Sequence, residues 1–168
     1  VYLGNFAGAA LAAAAAVYSH QLTSFSGALA ASAMGTAVAK CSLSFSDAFL
    51  RGVACNILVC VAVWLALSSR SAPGKIMGIY LPIMLFVAAG FEHSVANMYY
   101  IPVALLAKEL SAYADALKGV DVSCLTWGRF LEGNLLPVTL GNMVGGLTVG
   151  MVQWYCFLHG KADSGERE

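Results

Sequence analysis

Charge is sparse in this sequence and unevenly placed. Only 11% of its 168 residues are Asp, Glu, Lys or Arg, against 60% hydrophobic, where soluble domains carry about 25% charged residues. Stretches 1–39, 52–69, 76–91 and 133–160 contain no such residue at all. An apolar run of about 18 or more residues, wound as a helix, crosses a hydrocarbon core about 30 Å thick. Three of the four stretches reach that length, and 76–91 runs on into 94–107 with only Glu92 and His93 interrupting. An ordinary soluble domain is therefore excluded, and an all-α protein in contact with membrane lipid is predicted. Basic patches are missing too, which excludes a nucleic-acid surface. His20, His93 and His159 lack metal-ligand spacing, and neither a G-x-S-x-G nor a P-loop is present. Neither an enzyme nor a cofactor or metal site is expected. The five cysteines, Cys41, Cys55, Cys60, Cys124 and Cys156, are odd in number and lack CxxC spacing. They read as small packing residues rather than a disulfide framework.

What is present divides into five membrane-embedded pieces: 1–19, 46–68, 75–90, 94–108 and 130–158. Asp47 stands where a charge suits a helix N-terminus. Residues 20–44 are rich in Ser, Thr, Ala and Gly and poor in large aliphatics, so a surface helix or folded loop is predicted there. Residues 109–129 hold Glu109, Asp115, Lys118, Asp121 and Arg129 and read as a polar connection. Loop 69–75 carries Arg70 and Lys75 without an acid, which places it in the cytoplasm by the positive-inside rule. The C-terminal tail then returns to the same side. A channel domain over 1–160 and a polar tail over 161–168 are the expected organisation.

The pattern V-x-L-G-N-x-x-G occurs at Val1–Gly8 and again at Val138–Gly145. Transporters are often built from two related halves, although small residues also recur in membrane helices for packing alone. On the two-halves reading, about 90–100 residues of a first half precede Val1. The chain opens at Val1 inside an apolar run, as a fragment does.

The string Gly90-Phe91-Glu92-His93-Ser94-Val95-Ala96-Asn97 places an acid and an imidazole midway along an apolar run. An ionisable group at membrane depth costs about 2.5–3.5 kcal/mol or more, which marks it as functional. Gly90 is a natural breaking point, and a broken helix exposes backbone donors and a dipole end suited to an anion. His93 titrates near physiological pH and can donate a hydrogen bond or exchange a proton. Glu92 is expected to be structural, capping the second half-helix.

Gly74–Leu106 resembles the signature of the formate/nitrite transporter family, as do Ala48–Ala66 and the LGNxxG element near Leu140. The resemblance implies an aquaporin-like bundle whose fifth helix is broken, with this chain supplying helices three to six and lacking the first two. It implies a homopentamer in the plasma (inner) membrane, bathed in lipid. Formate, nitrite, hydrosulfide or lactate would be the substrate, with a proton involved. His93 matches the central pore histidine, and Lys40 matches a lysine at the outer mouth that draws anions by its field; a solvated loop lysine is the plainer reading. Asn56 and Asn142 match pore-side asparagines, or serve as interhelical glue worth about 0.6 kcal/mol. Asn97, one turn after His93, is expected to hold the break in shape. Val59 and Phe86 match side chains that narrow the pore, or simply pack. A neutral-solute channel of aquaporin type, which would use Asn-Pro-Ala boxes not found here, is the alternative, as is a non-transporting membrane subunit.

Overall fold

The structure is a computed structural model that describes residues 1–159; the predicted tail at 161–168 lies outside them. Among the described residues the chain forms six α-helices and no strand. They are α1 (Tyr2–Tyr18), α2 (Ala28–Cys41), α3 (Phe45–Ser68), α4 (Ala72–Ala88), α5 (Ser94–Ala107) and α6 (Leu136–Gln153). Wider π-helical turns at Arg129–Leu135 and Trp154–Leu158 extend α6 into one rod of 30 residues. Each predicted apolar segment falls on one of these helices. α3, with 24 residues, and the α6 rod are long and apolar enough to cross a membrane. At 1.5 Å per residue they reach about 36 and 45 Å. α2 and α5, with 14 residues each, reach only about 21 Å.

Local sequence sets the helix ends. The Ser44 hydroxyl accepts a hydrogen bond from the Asp47 N–H at 3.1 Å and donates to the Asp47 carboxylate at 2.6 Å. The acid thus sits beside the positive end of α3, as predicted. The Ser71 hydroxyl accepts from the Gly74 N–H, with Pro73 in the first turn of α4. The loop between α3 and α4 is therefore shorter than 69–75, and Lys75 belongs to α4.

Residues 20–44 combine both alternatives: a short 3-10 turn at Gln21–Thr23 and further turns lead into α2, which is not wholly a surface helix. Ala30, Met34, Ala37 and Cys41 of α2 are buried, on the spacing of one helical face, and that face packs against α5. α1 flanks α5 as well, while α3 lies between α4 and α6. The apolar core includes Met34, Met98, Ile101, Tyr113, Leu125 and Phe130. Tyr113 comes from the polar connection, and its hydroxyl donates to the Val17 carbonyl at 2.6 Å. Elsewhere large apolar side chains stay exposed, among them Leu67, Ile76, Leu81, Leu147 and Tyr155. Hydrocarbon covers such a surface without penalty, whereas water does not.

α3 and α6 run side by side in the same direction, in register with their glycines. A Cβ on Gly141 would overlap the Phe49 carbonyl, and one on Gly145 the Val53 carbonyl. A Cβ on Gly52 would come within 2.9 Å of the Val138 carbonyl. Only glycine permits backbones this close.

Candidate functional site at the interrupted helix

α4 stops because Gly90 takes φ +65°, a left-handed conformation that glycine adopts without steric cost. The Phe91 N–H donates back to the Phe86 carbonyl at 3.0 Å and the Gly90 N–H to the Val87 carbonyl at 3.1 Å. These are the paired bonds of a Schellman ending, which satisfy carbonyls that the helix terminus would leave bare. Phe91, Glu92 and His93 then run without helix until α5 begins at Ser94.

The capping expectation needs correction: the cap of α5 is His93, not Glu92. His93 Nδ1 accepts the Ala96 N–H at 3.2 Å, so the neutral ring carries its proton on Nε2. The ring lies half-buried and stacks on Phe86, with centroids 6.0 Å apart. Asn142 Oδ1 takes the Ser94 N–H at 2.9 Å, and the His93 carbonyl takes the Asn97 N–H at 3.0 Å. Most donors at the α5 N-terminus are thus bound within the protein. The expectation that the break offers them to an anion narrows to what they leave over.

Glu92 turns inward. It is 3% exposed, and its carboxylate lies 2.8 Å from the Lys40 ammonium. The other carboxylate oxygen accepts from Asn97 Nδ2 at 2.6 Å and from Asn134 Nδ2 at 3.3 Å. Asn97 Nδ2 also donates to Asn134 Oδ1 at 2.7 Å, and Asn134 Nδ2 donates to the Lys40 carbonyl at 3.0 Å. A buried carboxylate is tolerable only when paired and hydrogen-bonded in this way. The solvated-loop reading of Lys40 therefore fails: the lysine sits in the last turn of α2 with its side chain 16% exposed. Its field reaches outward partly offset by Glu92, weaker than that of a lone cation.

The asparagines divide their work. Asn97, fully buried, braces Glu92 and so holds the break. Asn142 Nδ2 donates to the Gly52 carbonyl at 2.8 Å and to the Glu92 carbonyl at 3.0 Å, tying α6 to α3 and to the break. Asn56 Nδ2 donates to the Asn142 carbonyl at 2.6 Å. Both asparagines therefore act as interhelical ties. Val59 lies half-buried on α3, one turn beyond Asn56, and Phe86 shares the His93 ring face. Asn134 escaped the sequence reading. Its signal was an amide in an apolar stretch, a setting it shares with Asn142, which the family resemblance had singled out.

The fold and this cluster define a class: a helical membrane protein with a part-buried ion pair and a half-buried histidine at the gap between two helices. The family model described as formate/nitrite transporter matches residues 1–155. The chain belongs to the formate/nitrite transporter family. It is 48% identical over 118 residues to the probable formate transporter of Methanothermobacter thermautotrophicus, covering 70% of this chain and 38% of that protein. It is 39% identical over 163 residues to formate channel FocA of Haemophilus influenzae, covering 92% of this chain and 56% of that one. A solved pentameric formate channel with formate bound superposes with a TM-score of 0.85 at 38% identity, covering 94% of this chain and 64% of the other. These relatives are channels and transporters rather than enzymes. The chain spans between about a third and two thirds of the lengths of the proteins it matches.

Proposed function

We propose that this chain forms the greater part of a pore for small monovalent anions, formate, nitrite or a similar weak-acid anion, moving with a proton. Its setting is a homopentamer in the plasma (inner) membrane. Residues 1–160 are the channel domain, and residues 69–75, spanning the α3–α4 loop and the first turn of α4, face the cytoplasm with the tail 161–168. α4 and α5 are the two halves of one interrupted span in an aquaporin-like bundle.

The observation that carries this reading is the state of His93. Its Nδ1 is occupied by the Ala96 N–H and its ring is held against Phe86. Nε2 is left as the one ring nitrogen free to meet a passing solute, as donor or, when the ring is charged, as proton source. Val59 and Phe86 form the apolar slit in which an anion loses its hydration. Desolvating a charge there costs far more than desolvating the neutral acid, so protonation eases passage. Lys40 attracts the anion to the entrance with the part of its field that Glu92 does not offset. Asn97, Asn56 and Asn142, with Gly90 and Glu92, fix the shape of the passage.

The test is formate flux into liposomes carrying the complete protein. The His93→Asn variant is expected to lose the pH dependence seen in the parent. An unchanged pH profile in that variant would remove the proton role, and passage of glycerol without formate would favour a neutral-solute channel.

A further inference from the structure

We propose that Cys41 and Cys124 are a redox pair that closes to a disulfide on the outward side of the membrane. Val38, Cys41 and Ser42 stand at positions i, i+3 and i+4 of α2 and its cap, which turns them to one side. The Cys124 sulfur lies on that side, 3.9 Å from the Val38 carbonyl and 3.7 Å from the Ser42 hydroxyl. Cys41 is fully buried, and Cys124 packs half-exposed on the edge of the same apolar cluster. Both are thiols in this structure. The other cysteines belong to α3 and to the far end of the α6 rod.

The segments that carry the two sulfurs are held together without them. Arg129 Nε donates to the Cys41 carbonyl at 2.8 Å and Nη2 to the Leu43 carbonyl at 3.0 Å. On the other segment, the Ser123 N–H donates to Asp121 Oδ1 at 2.9 Å. Closure therefore joins segments that the Arg129 bonds already bring to each other.

The chemistry is thiol–disulfide exchange with an external disulfide of a small molecule or a protein oxidant. The accessible Cys124, as thiolate, attacks the external disulfide, and one external thiol leaves. The Cys41 thiolate then attacks the Cys124 sulfur, the new S–S bond forms, and the second external thiol leaves. The pair gives up two electrons to the external disulfide, and its two protons end on the departing thiols. The bond would staple the end of α2 that carries Lys40 to the connection ahead of Arg129. Exposure to an oxidising compartment rests on the orientation proposed above; the pairing itself does not.

Isolated membranes holding the protein are treated with oxidised glutathione and digested without reduction for mass spectrometry. A Cys41–Cys124 linked peptide is expected, with loss of two thiols and loss of the linked peptide in Cys124→Ser. Glutathione remaining on Cys124 with no linked peptide would overturn the pair. Intact cells treated with a membrane-impermeant maleimide report the side, and labelling of reduced Cys124 before permeabilisation is expected. Labelling only after permeabilisation, with the linked peptide still forming in isolated membranes, would overturn the outward placement and leave the pair standing.

Discussion

The V-x-L-G-N-x-x-G pattern occurs twice in this chain, and its two copies have opposite surroundings. In α6, Gly141 and Gly145 lie against carbonyls of α3, and Asn142 meets the Ser94 N–H and the Gly52 and Glu92 carbonyls. In α1, a Cβ on Gly4 or Gly8 would meet nothing within 4 Å, and Asn5 is exposed. A hydrogen bond between the Tyr2 and Thr139 hydroxyls at 2.6 Å joins the first copy to the second. A stripe of small residues thus becomes an interface only when another backbone arrives at it. The asparagine within it is costly or useful according to whether peptide groups come into reach.

The sharpest way to break this comparison is to fill the glycines. Gly141→Ala and Gly145→Ala force backbone atoms apart and are expected to destabilise by about 3 kcal/mol or more. Gly4→Ala and Gly8→Ala are expected to be neutral or up to about 1 kcal/mol stabilising, through helix propensity. Thermal melting in detergent measures both. A loss at Gly4 or Gly8 as large as at Gly141 would mean that a further helix covers α1 in the assembled protein.

The asparagines give the next largest contrast. Asn142→Ala strands the buried Ser94 N–H and the Glu92 carbonyl and is expected to cost about 3 kcal/mol, whereas Asn5→Ala should stay within about 0.5 kcal/mol. Denaturant titration of the two variants compares them directly, and equal losses would end the distinction.

The smallest effect belongs to a region outside both copies. The Lys118 ammonium, hydrogen-bonded to Asp115 at 2.7 Å, holds that carboxyl below the usual carboxylate range. A depressed pKa contributes stability above the unfolded value and loses it as pH falls through the folded one. Both side chains are fully exposed to solvent, which screens the pair. Asp115→Asn is therefore expected to melt with the parent at every pH, and a pH-dependent difference would show the connection to be packed more tightly than its exposure indicates.

The helices were readable because their signals are local. Charge-free runs located α1, α3, α4, α5 and the α6 rod, Ser44 with Asp47 marked the start of α3, and Gly90 marked the break. Family membership was readable in the same residues. Residues 20–44 were harder: Ala, Ser and Gly give weak hydropathy contrast, and only packing against α5 shows which face of α2 is buried. Assigning the cap to Glu92 failed because a carboxylate and an imidazole at adjacent positions compete for the same N–H groups. Lys40 draws Glu92 away, leaving His93 to take the role. Lys40 itself looked like an isolated cation because its counter-charge lies far along the chain.

The sequence by itself determined that this is a helical membrane protein, where its helix is interrupted and which histidine stands at the interruption. Those facts depend on composition and spacing along a few turns, which apolar surroundings and backbone geometry translate directly into structure. Only the tertiary structure decided that Glu92 pairs with Lys40, that Asn97 and Asn134 brace the carboxylate, and that one glycine stripe meets another helix of this chain while its twin meets none. Each of those outcomes depends on which distant segment arrives with a charge, an amide or a carbonyl, and a low-dielectric interior makes every such pairing costly to leave unmade.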